Sequence, residues 1–170
     1  MSDDQVTLDA EAKALEAPAD HKDELRLWLR LLTCANLIEG TVRRRLRESF
    51  DETLPRFDLM AQLDRASDGM TLSELAQRMM VSNGNLTALV ERLVEAGQVS
   101  RRASPSDRRA QVVALTQAGR RAFRRMADAH EEWIAELMAG LNQRDVDDMM
   151  RILGKMKLSA RRAAEKDIVS

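Results

Sequence analysis

Apolar side chains recur along this chain at two different periods, and the change from one to the other marks off its parts. From Leu25 to about Phe50, Trp28, Leu31 or Leu32, Ala35, Ile38, Val42 and Leu46 follow the i, i+3, i+4, i+7 spacing of a long helix. Leu25, Leu27, Leu29 and Leu37 lie off that stripe, so the first half is apolar almost all round. Such a helix needs neighbours on more than one side, as it has between its own domain and a partner subunit. Phe57, Leu59, Met60 and Leu63 mark a second helix, with Thr53 before it, Pro55 tolerated near its start, and Asp68 and Gly69 past its end. The basic group Arg43, Arg44, Arg45 and Arg47 reads either as a solvated face or as an anion site.

Thr71 and Glu74 have the T-x-x-E spacing of a capping box and open a short helix from Leu72 to about Met79, with Leu75, Ala76 and Met79 inward. Ser82 caps a further helix from Asn83 to Ala96. Its stripe is Leu86, Leu89, Val90, Leu93 and Val94, and Gly97 suits the left-handed position that ends it. Two helices joined by about three residues cross steeply, which is a helix-turn-helix. After Gly97 the period drops to two. Val99, Arg101 and Ala103 alternate with polar neighbours, Ser104 to Asp107 make a turn, and Gln111 to Leu115 return as a Val-rich strand. A hairpin directly behind the second helix is a wing.

Thr116 caps another long helix, for which Ala122, Met126, His130, Trp133 and Leu137 mark the buried face. A last helix from about Gln143 carries Val146, Met149, Leu153, Met156, Ala160 and Ala163 at alternating steps of three and four, an a/d seam of more than two heptads. Packing within one chain and subunit association both fit that seam; Val146, Met149, Leu153 and Met156 are its candidate dimer contacts. The expected fold is all-α with a small β-hairpin wing: an acidic arm over 1–24, dimerisation and crevice helices over 25–68, a winged helix-turn-helix lobe over 69–119 and C-terminal dimerisation helices over 120–170.

Charge sharpens this picture. The formal net charge is −1, but residues 1–24 hold eight acids against Lys13 and Lys22, a net of −6, which leaves +5 for the remainder. The acidic opening reads as a solvated, poorly ordered arm, with a self-inhibitory role as the sharper alternative. The single Cys34 makes no internal disulfide, and His21 and His130 have no metal-ligand spacing. With no membrane-length apolar run and no secretory signal pattern, a cytoplasmic protein without metal, cofactor or membrane contact is expected.

The second helix of the motif turns Gly84, Thr87, Ala88, Glu91 and Glu95 away from its apolar stripe, with Ser82, Asn83 and Asn85 in its first turn. Small and amide side chains there suit entry into a major groove, where Asn bonds adenine edges and Thr or Ala meets a thymine methyl. Phosphates fall to the helix N-terminus, Arg92 and Arg78. An ordinary surface helix is the plainer reading, and Glu91 and Glu95 favour it. The wing adds Arg101, Asp107, Arg108 and Arg109. An arginine at its tip suits a narrow minor groove, and Asp107 is placed to hold a guanidinium by bidentate hydrogen bonds.

Residues 72–120, with Asp107 and Arg109 followed by Val113, Leu115, Thr116 and Gly119 as D-x-R and V-x-L-T-x-x-G, resemble the multiple antibiotic resistance regulator (MarR) family. The order of the flanking helices extends the likeness from residue 25 to about 165; Gln98, where the family has an apolar residue, departs from it. The resemblance implies a homodimer on a pseudo-palindromic double-stranded operator, Asn83 to Arg92 as recognition helix, and Asp107 and Arg109 as a salt-bridged wing pair. It also implies repression relieved by a small aromatic carboxylate or its coenzyme A thioester, as in control of aromatic catabolism. Trp28, Leu32, Asn36, Phe57 and Met60 would line the crevice, and Arg56 or the Arg43 to Arg45 group would meet the anion. Each apolar member also reads as plain core.

Two other functions stand beside this one. A winged-helix module can bind a protein instead of DNA, as an antirepressor or assembly factor, and Cys34 would give a cysteine-based oxidant sensor, although its neighbours Leu31, Ala35, Leu37 and Ile38 suggest a buried, inert thiol. An enzyme is not expected, since no carboxylate pair, no nucleophile beside a histidine and no phosphate-cradling loop stands out.

Overall fold

The computed structural model describes residues 22–103 and 111–169. It divides between Glu132 and Trp133 into two compact units. In the first, helices α1 (Lys22–Phe50) and α2 (Leu54–Asp64) precede a two-residue strand β1 (Met70–Thr71). Then come α3 (Leu72–Met79), α4 (Asn83–Glu95), strands β2 (Val99–Ala103) and β3 (Gln111–Leu115), and α5 (Gln117–Leu137), whose last turns enter the second unit. Helix α6 (Gln143–Val169) makes up most of that second unit. The fold is all-α with a small antiparallel sheet, ordered β1-β3-β2. The hairpin expected from the sequence is present with Val99 opposite Leu115 and Ala103 opposite Gln111. The sequence reading had no β1; Met70 and Thr71 add it by pairing with Val113 and Val112.

Local chemistry sets the helix ends. At the end of α1, Asp51 adopts a left-handed backbone (φ 52°), and the N–H groups of Asp51 and Glu52 return to the Arg47 and Leu46 carbonyls at 3.1 and 3.2 Å. Pro55 sits in the first turn of α2, where no N–H is needed. The buried Glu52 carboxylate accepts from Thr53 N at 2.9 Å and lies 3.0 Å from Arg56 Nε, binding the inter-helix turn to α2. Thr71 and Glu74 form the reciprocal capping box on α3. Two hydrogen bonds to Glu74 from Thr71, its backbone N–H and its hydroxyl, hold that carboxyl below its ordinary range.

The core of the first unit is built from Val42 and Leu46 of α1, Leu59, Met60 and Leu63 of α2, Leu75 of α3, Leu86, Val90 and Leu93 of α4, and Val113 of the sheet. Two stripe assignments need correction. Val94 of α4 is exposed: it stands one residue before the helix end, on the side of the last turn away from the fully buried Leu93. On α5 the buried aromatic is Phe123, beside Met126; Leu137 is exposed. The Phe57 ring lies 5.5 Å from that of Phe123 and 5.1 Å from that of His130, so α2 and α5 meet through a short aromatic row.

In the second unit, Asn142 Oδ1 accepts from Asp145 N at 3.1 Å and Asp145 Oδ2 from Asn142 N at 3.0 Å, a reciprocal cap that starts α6. Val146 and Met149 are exposed and Leu153 and Met156 half-buried, in a helix with no fully buried residue among those described. No described helix is long and apolar enough to cross a membrane, and no described group of three His, Cys, Asp or Glu side chains is placed to hold a metal ion.

Candidate nucleic-acid interface

Helix α4 is fixed at both ends. Ser82, extended in backbone, accepts from Asn85 N through its hydroxyl at 3.4 Å; after the helix, Gly97 takes φ 68° and Gln98 N returns to Leu93 O at 2.9 Å. Leu86, Val90 and Leu93 are buried inward. Outward, Ser82, Gly84, Asn85, Ala88, Glu91, Arg92 and Glu95 are exposed and Thr87 is half-buried; Arg78 on α3 is exposed as well. The side chain of Asn83 lies outside the described residues, as do Asp107, Arg108 and Arg109. A helix capped at its start, with a short-side-chain face and the positive end of its dipole at the first turn, can enter a groove and approach phosphates.

The wing is locked to this helix by the T-x-x-G sequence. Thr116 N donates to Gln98 O at 3.0 Å, the Thr116 hydroxyl donates to Gly97 O at 2.7 Å, and Gly119 N donates back to that hydroxyl at 3.0 Å. A Cβ on Gly119 would lie 2.0 Å from Gln98 O, so only glycine lets α5 start this close to the end of α4. Gln98 therefore serves through its backbone, and β2 pairs over its full length despite the polar side chain. On β2, Arg101 shares the side of Val99; its Nε and Nη2 are buried without an acceptor among the described residues. Arg102 is the exposed cation of that strand and donates from Nη2 to Asp68 O at 2.6 Å. Arg120 ties α5 to the end of α2 and the turn after it, lying 3.7 Å from Asp64 Oδ1 and donating from Nη2 to Ser67 O at 3.4 Å.

The crevice residues of the sequence reading fall into two groups. Phe57 and Met60 are core, Leu32 is half-buried, and Trp28 and Asn36 are exposed on α1. Arg56 faces Glu52, so part of its charge is already answered within the chain. Arg43 pairs with Glu39 one turn back, while Arg44 and Arg47 are exposed. Cys34 is exposed, which corrects the expected burial: of the apolar neighbours that suggested a core position, Leu31 and Ile38 are only half-buried and Ala35 and Leu37 are exposed among the described residues. Beside this region, burial raises the Asp58 carboxyl above its ordinary range. His130 draws it down and Glu39 pushes it further up.

The geometry has clear counterparts among known proteins. The MarR family model matches residues 53–110. The "Transcriptional activatory protein BadR" of Rhodopseudomonas palustris is 31% identical over 153 residues, which span 85% of this chain and 87% of that protein. The chain belongs to the MarR family. It is a transcription regulator of MarR type that binds DNA. Among solved structures, a MarR family transcriptional regulator from Silicibacter pomeroyi superposes with a TM-score of 0.72 at 32% identity, over 84% of this chain and 99% of that one. A cysteine-to-serine mutant of MarR from E. coli, complexed with operator DNA, superposes with a TM-score of 0.70 at 25% identity, over 81% and 99%.

Within this MarR frame the sequence reading missed three features. Met80 shows its left-handed backbone only in the structure. The i, i+4 spacing of Glu52 and Arg56 is a legible ion-pair signal, and Phe123 stands at the same helical spacing from Met126 and His130 as a core stripe requires.

Proposed function

We propose that this MarR-family chain works as a homodimer on a pseudo-palindromic operator. Ser82, Asn83, Gly84, Asn85, Thr87, Ala88 and Arg92 at each α4 face the major groove, and Asp107, Arg108 and Arg109 of each wing reach the flanking backbone and minor groove, while Arg101, with Nε and Nη2 buried on the side of Val99, supports the wing from beneath. The observation that carries the dimer is the uncovered apolar surface of two helices: Leu25, Leu27, Trp28 and Leu37 on α1, and Val146, Met149, Ile152 and Leu158 on α6. Surface of that kind marks an interface. Such a dimer sets its two recognition helices about one DNA turn apart, roughly 34 Å.

The regulatory step is a shift between dimer states. A small aromatic carboxylate or its coenzyme A thioester binds beside Trp28, Leu32, Asn36, Arg56, Phe57 and Met60 and favours a state that fits the operator poorly. The aromatic row at Phe57 supports an aromatic ligand, and the nearby guanidinium groups support an anionic one. A hundredfold release needs a preference of about 2.7 kcal/mol for the second state. Repression relieved in this way is the first reading. Activation is the second, favoured by the likeness over most of the chain to a relative named an activatory protein.

The test is selection of genomic fragments by the purified protein at low and moderate salt, with a panel of aromatic acids and their thioesters. One pseudo-palindrome with half-sites about 10 base pairs apart, lost steeply with salt and released by one compound, is the expected result. Enrichment that no compound disturbs would remove the effector from this reading; no enrichment at any salt would overturn it.

A further inference from the structure

The turn between α3 and α4 carries an apolar residue that the described residues leave almost wholly uncovered. Met80 takes a left-handed backbone, φ 55°, which costs any residue with a Cβ stability that glycine would not lose. The N–H of Met80 returns to Gln77 O at 3.4 Å and that of Val81 to Ala76 O at 3.2 Å, so the turn is closed by its backbone alone. The Met80 side chain is 93% exposed, and Val81 beside it is exposed too. Two unfavourable features, strain and an apolar side chain in water, thus meet at one position.

Their place narrows what they meet. Met80 stands two residues before Ser82, the cap of α4, so its Cα lies within about 7 Å of the start of the recognition helix. A long, unbranched side chain that close to the first turn of α4 has the length to reach the DNA surface which that turn would meet. On the major-groove edges of the bases, the apolar group on offer is the thymine 5-methyl.

We propose that Met80, with Val81, is a specificity-determining ledge that packs against a thymine methyl at the edge of the base pairs read by α4. The proposal rests on α4 being the recognition helix, and it extends the reading surface two residues before those assigned from the sequence. Methionine suits the role because its flexible, polarizable chain adapts to an irregular apolar contact.

The test uses the full-length protein and the operator recovered by selection, with each thymine of a half-site replaced in turn by deoxyuridine, which lacks only the methyl. For the native protein, one such replacement should weaken binding about fourfold, the worth of one buried methyl-sized group. Met80→Gly should bind the thymine and deoxyuridine operators equally and melt no lower than the native protein, since glycine relaxes the left-handed turn. Met80→Gln keeps the length and the backbone cost and should lose the same discrimination, which separates apolar contact from stability. If no replacement affects the native protein, or if Met80→Gly keeps the native ratio, the ledge is overturned while DNA reading stands. Native DNA affinity in Met80→Gly with altered reporter transcription would equally overturn it, by showing that the residue meets a protein. Failure of the native protein to select any sequence would overturn both readings at once.

Discussion

On α4, Leu86, Val90 and Leu93 are fully buried, whereas on α6 Met149, Ile152 and Leu158 stand 44%, 49% and 57% exposed, although both helices carry apolar side chains at helical spacing. The difference lies in what surrounds them. The stripe of α4 is covered by α2, α3 and the sheet of its own unit; that of α6 has no such cover within its unit. Helix α1 shows both conditions, with Val42 and Leu46 buried toward its end and Trp28 exposed toward its start. A period of 3.5 to 3.6 identifies a helix with a sticky face, but it does not say whose surface covers that face.

The largest effect expected from breaking this contrast is at Leu153. Under the proposed dimer, Leu153→Asp places an unpaired charge in the seam of both copies, at a cost of about 3 to 5 kcal/mol for each. Sedimentation should show monomers at concentrations where the native protein is dimeric, while circular dichroism of the winged unit stays folded. A full-strength dimer would mean that this seam packs elsewhere. Leu86→Ala should act in the opposite way. It removes a fully buried side chain from the covered stripe and should lower unfolding stability by about 2 to 5 kcal/mol. Its shift in urea midpoint should not depend on protein concentration, whereas that of Leu153→Asp should.

A third change probes the lock between the wing and its helix. Gly119→Ala sets a Cβ against the Gln98 carbonyl, a backbone atom that cannot swing away, and should cost about 1 to 3 kcal/mol. Because Thr116 and Gly119 join the end of α4 to the start of α5, DNA affinity should fall as well, even though neither residue lies on the groove-facing side. Native stability in this variant would show that the helix start shifts without strain.

Particular residues show where the sequence was legible. The wing strands could be placed because Val99, Arg101 and Ala103 alternate with polar neighbours, and Gln111 to Leu115 is a short Val-rich run that follows the turn residues Ser104 to Asp107. Met70 and Thr71 were not legible as a strand, since two residues have no period; only pairing with β3 defines them. Phe123 was passed over for Ala122 because both lie on the inward half of α5, and only the neighbouring Phe57 decides between them. Cys34 was misplaced for the reason that separates α1 from α4, since apolar neighbours imply burial only if something covers them. At the interface, Ser82, Gly84, Asn85, Ala88 and Arg92 could be found as the residues left over when the buried stripe of α4 is removed. Met80 could not, because a methionine at a helix end resembles core until its backbone angle and exposure are known.

The smallest effect lies at Asp58, on the boundary between the covered core and the proposed crevice. Burial is the main cause that holds its carboxyl above the ordinary aspartate range, with His130 opposing and Glu39 adding to the rise. The folded chain therefore keeps this proton at a pH where the unfolded chain has already released it. Stability linked to Asp58 is greatest below the ordinary aspartate range, falls as pH rises from there through the raised value, and stays reduced above it. Asp58→Asn removes that fall. The variant should be slightly more stable than the native protein at neutral pH, by an amount that solvent contact at the exposed side chain keeps small, and the difference should shrink as pH drops. Urea midpoints of the two proteins from acid to neutral pH give the check. A difference that stays constant across that range would mean the Asp58 carboxyl is as well solvated when folded as when unfolded, and that the face it shares with Glu39 and His130 is already open to water.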